Sequence, residues 1–451
     1  MKQLNVPRIA SWCMLLLLLC LGLWACGGGG SDSGGVADSG TPPVHFAVVT
    51  DPHVYDPELG TSGEAFAESL NADRVLVPES AAIFAELTDL LVAGNKPEFL
   101  LIPGDLSKDG ERQSHELMVA QLHRLVEAGI LVFVIPGNHD IANPEAFRYV
   151  DGEREPVASL SAEEFAALYA PFGYARALAR DPHSLSYVAE PSPGYRLFAI
   201  DSCRYDENGE TPVVGGILKD ETLAWLKEQL RQARRENKTV LAMMHHPVLE
   251  HALGQGEYLP EFLLENWRSV GPELAAEGLK LIFTGHFHAQ KITRQDWANG
   301  EFLLEVQTGS LSAWPNPYRR VVLTPETASL GVETRHIEAI AGFEASEPSP
   351  DFVTYSHNFS AEKLAGILER RLDGVLDLND VQKAAYLPLL TTATEAFFKG
   401  DQAPTLSTFR LARDLSESSD EQESLVGLLL LSLWNNIPPA DNDLNYTLVP
   451  R

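Results

Sequence analysis

The stretch Leu131-Val132-Phe133-Val134-Ile135-Pro136-Gly137-Asn138-His139-Asp140 constrains the fold most. An unbroken apolar run ended by Pro-Gly reads as a strand covered on both faces, because a half-exposed strand would alternate apolar and polar residues. Such a strand requires a layered α/β architecture, and its carboxyl end is where those folds place their chemistry. The same figure recurs along the chain. Val44 to Thr50 runs into Asp51-Pro52-His53, Phe99 to Pro103 into Gly104-Asp105, Thr239 to Met244 into His245-His246, and Leu279 to Thr284 into Gly285-His286-Phe287-His288.

Amphipathic helices fill the gaps. Ile83, Leu87, Leu90 and Leu91 share one face of a helix over 79–93 that Gly94 stops, and 111–128 repeats the pattern before Gly129. The opening is therefore βαβαβ. The 143–192 region is irregular, with one helix expected near 163–169. Tyr195 to Ile200 is a further strand, ending in Asp201-Ser202-Cys203, and 222–235 a further helix. Phe302 to Val306, Arg320 to Leu323 and Gly331 to Ile337 read as antiparallel strands of a second sheet. Beyond the Glu347-Pro348-Ser349-Pro350 linker the pattern turns helical at 362–372, 379–398, 407–415 and 421–434.

The first residues belong to a targeting segment. Lys2 and Arg8 precede an apolar run from Ile9 to Ala25, the charged and hydrophobic parts of a secretory signal. Leu23-Trp24-Ala25-Cys26 resembles a bacterial lipobox, which makes Cys26 the expected lipidated first residue of an exported protein, membrane-anchored on the extracytoplasmic side. A run of about 17 residues is at the low edge for a spanning helix, which disfavours an uncleaved anchor. The glycines that follow form a leash. After processing, Cys203 is the one cysteine of the folded part, so no internal disulfide is expected. The divisions are a signal over 1–25, a Gly/Ser-rich linker over 26–43, a catalytic domain over 44–341 and a helical C-terminal domain over 342–451.

With 63 acidic against 34 basic residues and a formal charge of −29, the chain lacks the broad basic face that grips nucleic-acid polymers. A small phosphorylated substrate would need local cations, and bound metal ions supply them. Singly, a Gly-Asp pair or a strand-end His is ordinarily structural. Five strands delivering carboxylate, amide oxygen and imidazole to one edge are the donor set of two divalent ions such as Mn, Fe or Zn, with no thiolate. Two such ions about 4 Å apart lower the pKa of a shared water and polarise phosphoryl oxygens toward in-line attack. Coordinating imidazoles must be neutral, so activity is expected to collapse at acidic pH.

In order and spacing these clusters resemble the signature of the calcineurin-like metallophosphoesterases, over about residues 44 to 340. The resemblance implies a two-sheet metallophosphoesterase β-sandwich of the α/β (α+β) class flanked by helices. It also implies that Asp51, His53 and His288 hold one metal ion, that Asn138, His245 and His286 hold the other, and that Asp105 bridges them. His139 then stands beside the ions as the catalytic residue facing the leaving group. His245 is preferred to His246 because the first His of such a pair usually aligns with the ligand. Ser107-Lys108-Asp109-Gly110, Gly137 to Pro144 and Trp314 to Arg319 resemble exported bacterial phosphodiesterases that act on cyclic nucleotides, with Tyr318 a base-stacking and Arg319 a phosphate-binding candidate. His115, in a helix, reads as a packing residue, and Asp140 either orients His139 or caps its turn. A phosphomonoesterase or 5′-nucleotidase that scavenges phosphate uses the same ligand set. A non-catalytic surface-binding lipoprotein is the third reading, against which the completeness of the donor set weighs.

Overall fold

The continuous apolar strands of the sequence form two stacked sheets. A computed structural model of the chain describes residues 40–450 apart from 72, 347, 374–375, 401 and 436–437. The signal segment, Cys26 and all but the end of the leash lie outside the described residues.

In chain order the strands are β1 (Val44–Val48), β2 (Phe99–Pro103), β3 (Leu131–Ile135), a hairpin of β4 (Phe147–Val150) and β5 (Glu153–Pro156), β6 (Ala179–Arg180), β7 (Tyr187–Ala189), β8 (Tyr195–Ile200), β9 (Thr239–Met244), β10 (Leu281–Thr284), β11 (Lys291–Asp296), β12 (Phe302–Gln307), β13 (Pro317–Thr324), β14 (Ser329–His336) and β15 (Leu444–Thr447). One sheet has the order β15-β14-β13-β1-β2-β3 and the other β11-β12-β10-β9-β8-β7-β6. At the centre of each, the strands run parallel: β1, β2 and β3 in the first, β8, β9, β10 and β12 in the second.

Strand β9 shows why these runs carry no polar alternation. Leu241 and Met243 point into the core between the sheets, with Phe46, Leu101, Phe133 and Phe283. Ala242 and Met244 point the other way, under Leu226 and Leu230 of the helix Asp220–Arg235 and Leu274 of the helix Trp267–Ala276. Both faces are dry, so both need apolar side chains. Across the interior Phe46 stacks on Phe99 at 4.7 Å and meets Phe283 edge-on at 5.4 Å. Truncating such a ring to alanine costs about 3–5 kcal/mol.

One expectation is corrected. Strands β13 and β14 are antiparallel to each other but extend the sheet of β1, whereas β12 lies parallel to β10 in the other sheet. Periodicity identifies a strand without identifying its neighbour. The C-terminal region is helical, with one short strand added at its end. The helices Phe352–Leu372, Asp380–Lys399, Leu406–Ser416 and Glu421–Leu433 bury a core of their own around Leu390, Ala412, Val426 and Leu430. The chain then returns as β15 to pair with β14. Gly427 sets the closeness of the last helix pair, since a Cβ there would run into the Ala412 carbonyl and the Ser416 amide. Among the described residues no helix is long and apolar enough to cross a membrane.

Candidate dinuclear metal site

Each polar cluster leaves the carboxyl end of a central parallel strand: β1, β2 and β3 from one sheet, β9 and β10 from the other. The turns that reverse these clusters are strained. Asp51, His53, Asp105, His286 and His288 all take left-handed backbone conformations, with φ between 42° and 68°. Non-glycine residues held there cost about 1–3 kcal/mol each and persist where the surroundings over-determine them. Two glycines make the close approach possible. A Cβ on Gly137 would strike the Asp105 carboxylate, and one on Gly285 the Asp51 carboxylate.

The side chains converge. His53 Nε2 lies 3.2 Å from His288 Nε2 and 3.6 Å from Asp105 Oδ2. The same Asp105 oxygen is 3.3 Å from His245 Nε2, which is 3.0 Å from Asn138 Oδ1. Asp51 Oδ1 is 3.4 Å from His288 Nε2, and both Asp51 oxygens accept the His286 amide at 3.0 and 3.1 Å. The His245 and His286 rings stand 4.9 Å apart. All seven are buried or nearly so.

Hydrogen bonds on the far ring nitrogens fix which atoms face inward. His245 Nδ1 meets the Pro103 carbonyl at 2.9 Å and His286 Nε2 the Glu261 carbonyl at 2.9 Å. His246 is close to both. However, its Nδ1 pairs with Ser202 Oγ at 2.8 Å and its Nε2 with the Val214 carbonyl at 2.9 Å, which leaves it no free nitrogen.

The electrostatics are those of an anionic pocket. Burial opposes ionisation of Asp105, yet His245 and His139 beside it hold the carboxyl well below the usual carboxylate range. Burial pushes His53 down to about 4 and, with His245 nearby, His286 to about 3. His53 and His288 face each other through their Nε2 atoms at 3.2 Å, and two imidazole nitrogens turned to one point can serve a shared cation.

His139 lies at the rim, its side chain 31% exposed, with Nδ1 2.8 Å from Asp109 Oδ1. Burial alone would lower its pKa, but Asp105 and Asp109 raise it to about 10. Lys108 pairs with the other Asp109 oxygen. Among the described residues the Asp140 carboxylate makes no hydrogen bond or ion pair with the His139 ring. It accepts the amides of Gly137, Leu106 and Ser107 at 2.8, 3.1 and 2.9 Å, stapling the turn after β3 to the turn after β2.

Tyr318 and Arg319 are a correction, for neither lies at the site. Both sit within β13, between β1 and β14, where a strand interior buries them. Arg319 donates to the carbonyls of Gln307, Asp441 and Asn442 at 2.9, 2.7 and 3.0 Å and so ties the C-terminal segment to the sheet. His115 is buried against Tyr169 OH at 2.8 Å and the Asp140 carbonyl at 2.9 Å. Cys203 is buried near the Pro136 carbonyl. Sequence reasoning read Asp109 only as part of Ser107-Lys108-Asp109-Gly110 and gave it no role of its own. It missed Arg74, which carries no sequence signal: its guanidinium donates to the carbonyls of His288 at 2.5 Å and Trp314 at 2.9 Å.

A family model described as calcineurin-like phosphoesterase matches residues 44–290, more than half of the chain. The chain belongs to the calcineurin-like phosphoesterase family. A relative described as a probable cyclic nucleotide phosphodiesterase of Synechococcus sp. is 25% identical over 257 residues, covering 54% of this chain and 73% of that one. Among solved structures, a dimetal phosphatase from Danio rerio aligns at a TM-score of 0.45 and 15% identity over 66% of this chain and 97% of its own. A 5′-nucleotidase precursor from Thermus thermophilus aligns at 0.35 and 14%, over 73% and 59%. This calcineurin-like phosphoesterase is a metal-dependent phosphoester hydrolase whose His and Asp side chains are positioned to bind metal ions. The donor set fits: imidazole nitrogens aimed inward by carbonyls behind them, and carboxylates crowded together.

Proposed function

We propose that this enzyme hydrolyses phosphodiester bonds of small nucleotide esters, cyclic nucleotides among them. The observation that carries the metal assignment is Asp105 Oδ2, within 3.6 Å of His53 Nε2 and 3.3 Å of His245 Nε2. In this reading Asp51, His53 and His288 hold one divalent ion, Asn138, His245 and His286 the other, and Asp105 serves both. The ions when bound supply Lewis acidity to the phosphoryl group and acidify a water. Asn138 contributes a neutral oxygen, which leaves the loaded site attractive to an anionic ester. His139, at the rim with its pKa raised by Asp105 and Asp109, donates its proton to the departing oxygen, a role worth roughly 10²–10⁴ in rate. Asp109 holds that imidazole in place through Nδ1.

The name of the Synechococcus relative supports cyclic nucleotides over other esters. The test is a panel of 2′,3′- and 3′,5′-cyclic nucleotides, bis-p-nitrophenyl phosphate and p-nitrophenyl phosphate. Turnover of the diesters is expected, and turnover of the monoester alone would end the diesterase reading.

The same proposal makes the protein an exported lipoprotein anchored through Cys26. The support is Leu23-Trp24-Ala25-Cys26 behind a charged and apolar leader. Cys26→Ser is expected to abolish incorporation of labelled palmitate, and unchanged labelling would refute the anchor.

A further inference from the structure

Beside the ligands, one wall of the site is aromatic. The half-buried Phe262 packs its ring on His286 at 5.4 Å and on Phe287 at 5.1 Å, directly against the loop that carries two of the histidines. From the C-terminal region, the last turn of the helix Phe352–Leu372 brings the Arg371 guanidinium to 6.0 Å from the centre of the same ring. Its neighbour Arg370 donates to the Asn71 carbonyl at 2.6 Å, and Lys363, two turns earlier, to the Asn71 side chain at 3.0 Å. The segment they grip continues into Asp73 and Arg74, which flank His288. Of two consecutive arginines, one thus grips the segment that leads to Asp73 and Arg74, and the other stands over the ring packed on His286.

The 6.0 Å spacing is informative. Arg74, in direct contact with Phe398, stands 4.0 Å above that ring. Arg371 is too far from Phe262 for that contact. A planar ring stacked between them needs two spacings of roughly 3.5 Å, so the guanidinium has to swing outward from its present 6.0 Å to admit one. Arg371 is exposed and makes no hydrogen bond or ion pair among the described residues, so it is available to move. Nucleobases stack well on both phenyl rings and guanidinium planes, and every base offers a π-face.

We propose that Phe262 and Arg371 form a nucleobase clamp, supplied jointly by the catalytic fold and the C-terminal helices, that holds the base while the phosphate lies at the ligand cluster. It deepens the nucleotide-ester reading and rests on it. The clamp recognises a base as a flat aromatic ring and does not discriminate among bases by hydrogen bonding.

The test compares two competitive inhibitors of bis-p-nitrophenyl phosphate hydrolysis by the metal-loaded full chain: adenosine 5′-monophosphate and ribose 5-phosphate, which differ by the base. In Arg371→Gln the adenosine 5′-monophosphate inhibition constant is expected to rise about fivefold or more, in line with the loss of one stacking partner, while the ribose 5-phosphate constant stays within about twofold of wild type. Phe262→Leu, which keeps apolar bulk against Phe287, is expected to give the same split. Equal weakening of both inhibitors would mean that Arg371 reads the phosphate, and no change would mean that it reads nothing; either result overturns the clamp. Loss of cyclic-nucleotide turnover from the wild-type profile bears on the diesterase reading alone, since the clamp is judged by the ratio of the two constants.

Discussion

His139 Nδ1 lies 2.8 Å from Asp109 Oδ1, and this contact sets the direction the imidazole faces and, together with Asp105, the firmness with which it keeps its proton. Asp109→Asn retains the shape and removes the charge. The His139 pKa then falls from about 10, with Asp105 still raising it, so the imidazole holds its proton less firmly and loses the partner that aims it. The rate with an alkoxide leaving group is expected to fall by roughly 10²-fold at pH 8. With p-nitrophenolate, which leaves without a proton, the loss is expected to be under about tenfold. The ratio of the two rates is the measurement, and equal losses would show that Asp109 does not act through proton donation.

Arg74 connects the metal-ligand loop to the C-terminal helices. It donates to the His288 carbonyl at 2.5 Å and the Trp314 carbonyl at 2.9 Å, and it sits 4.0 Å above the Phe398 ring. Arg74→Gln leaves buried carbonyls unmatched, a loss of about 2 kcal/mol or more in stability. Because the backbone of His288 loses its support, metal affinity is expected to drop about 10-fold or more. Calorimetric metal titration beside a denaturation curve separates the two effects. Lowered stability with unchanged metal affinity would make Arg74 a purely structural residue.

Metal loading should depend on pH with a definite sign. Without metal, burial works against protonation of His245, but Asp105 beside it outweighs burial and raises its pKa to about 9. Below pH 9 a metal ion must therefore displace that proton, so affinity falls about tenfold per unit as pH drops. Near pH 4 His53 joins it and the fall steepens. Titration at pH 7 in buffers of different ionisation enthalpy is expected to show about one proton released per loaded chain. Zero release would mean that His245 is already neutral.

The strands and their polar ends were legible because a run buried on both faces must be apolar, and its abrupt end in Gly-Asn-His or Gly-His-Phe-His is hard to mistake. Tyr195–Ile200 and Thr239–Met244 fall where the sequence puts them. What sequence could not carry was partnership across the fold. Arg319 reads as a loop cation because nothing local announces that Gln307 and Asp441 will surround it. Leu444–Thr447 is too short and polar to declare itself a strand until β14 offers it an edge. Arg74, Phe262 and Arg371 acquire meaning only once the C-terminal helices lie against the ligand loops.

The central claim is that Asp105 belongs to two metal sites at once. Loading the protein with Mn(II) and recording its paramagnetic resonance spectrum, with elemental analysis of bound metal, tests it directly. Wild type is expected to bind two ions per chain with an exchange-coupled signal, and Asp105→Asn to lose that coupling together with at least about 10²-fold of its hydrolytic rate. A wild-type spectrum of a single isolated ion, or an Asp105→Asn variant that keeps the coupled pair, would contradict the account.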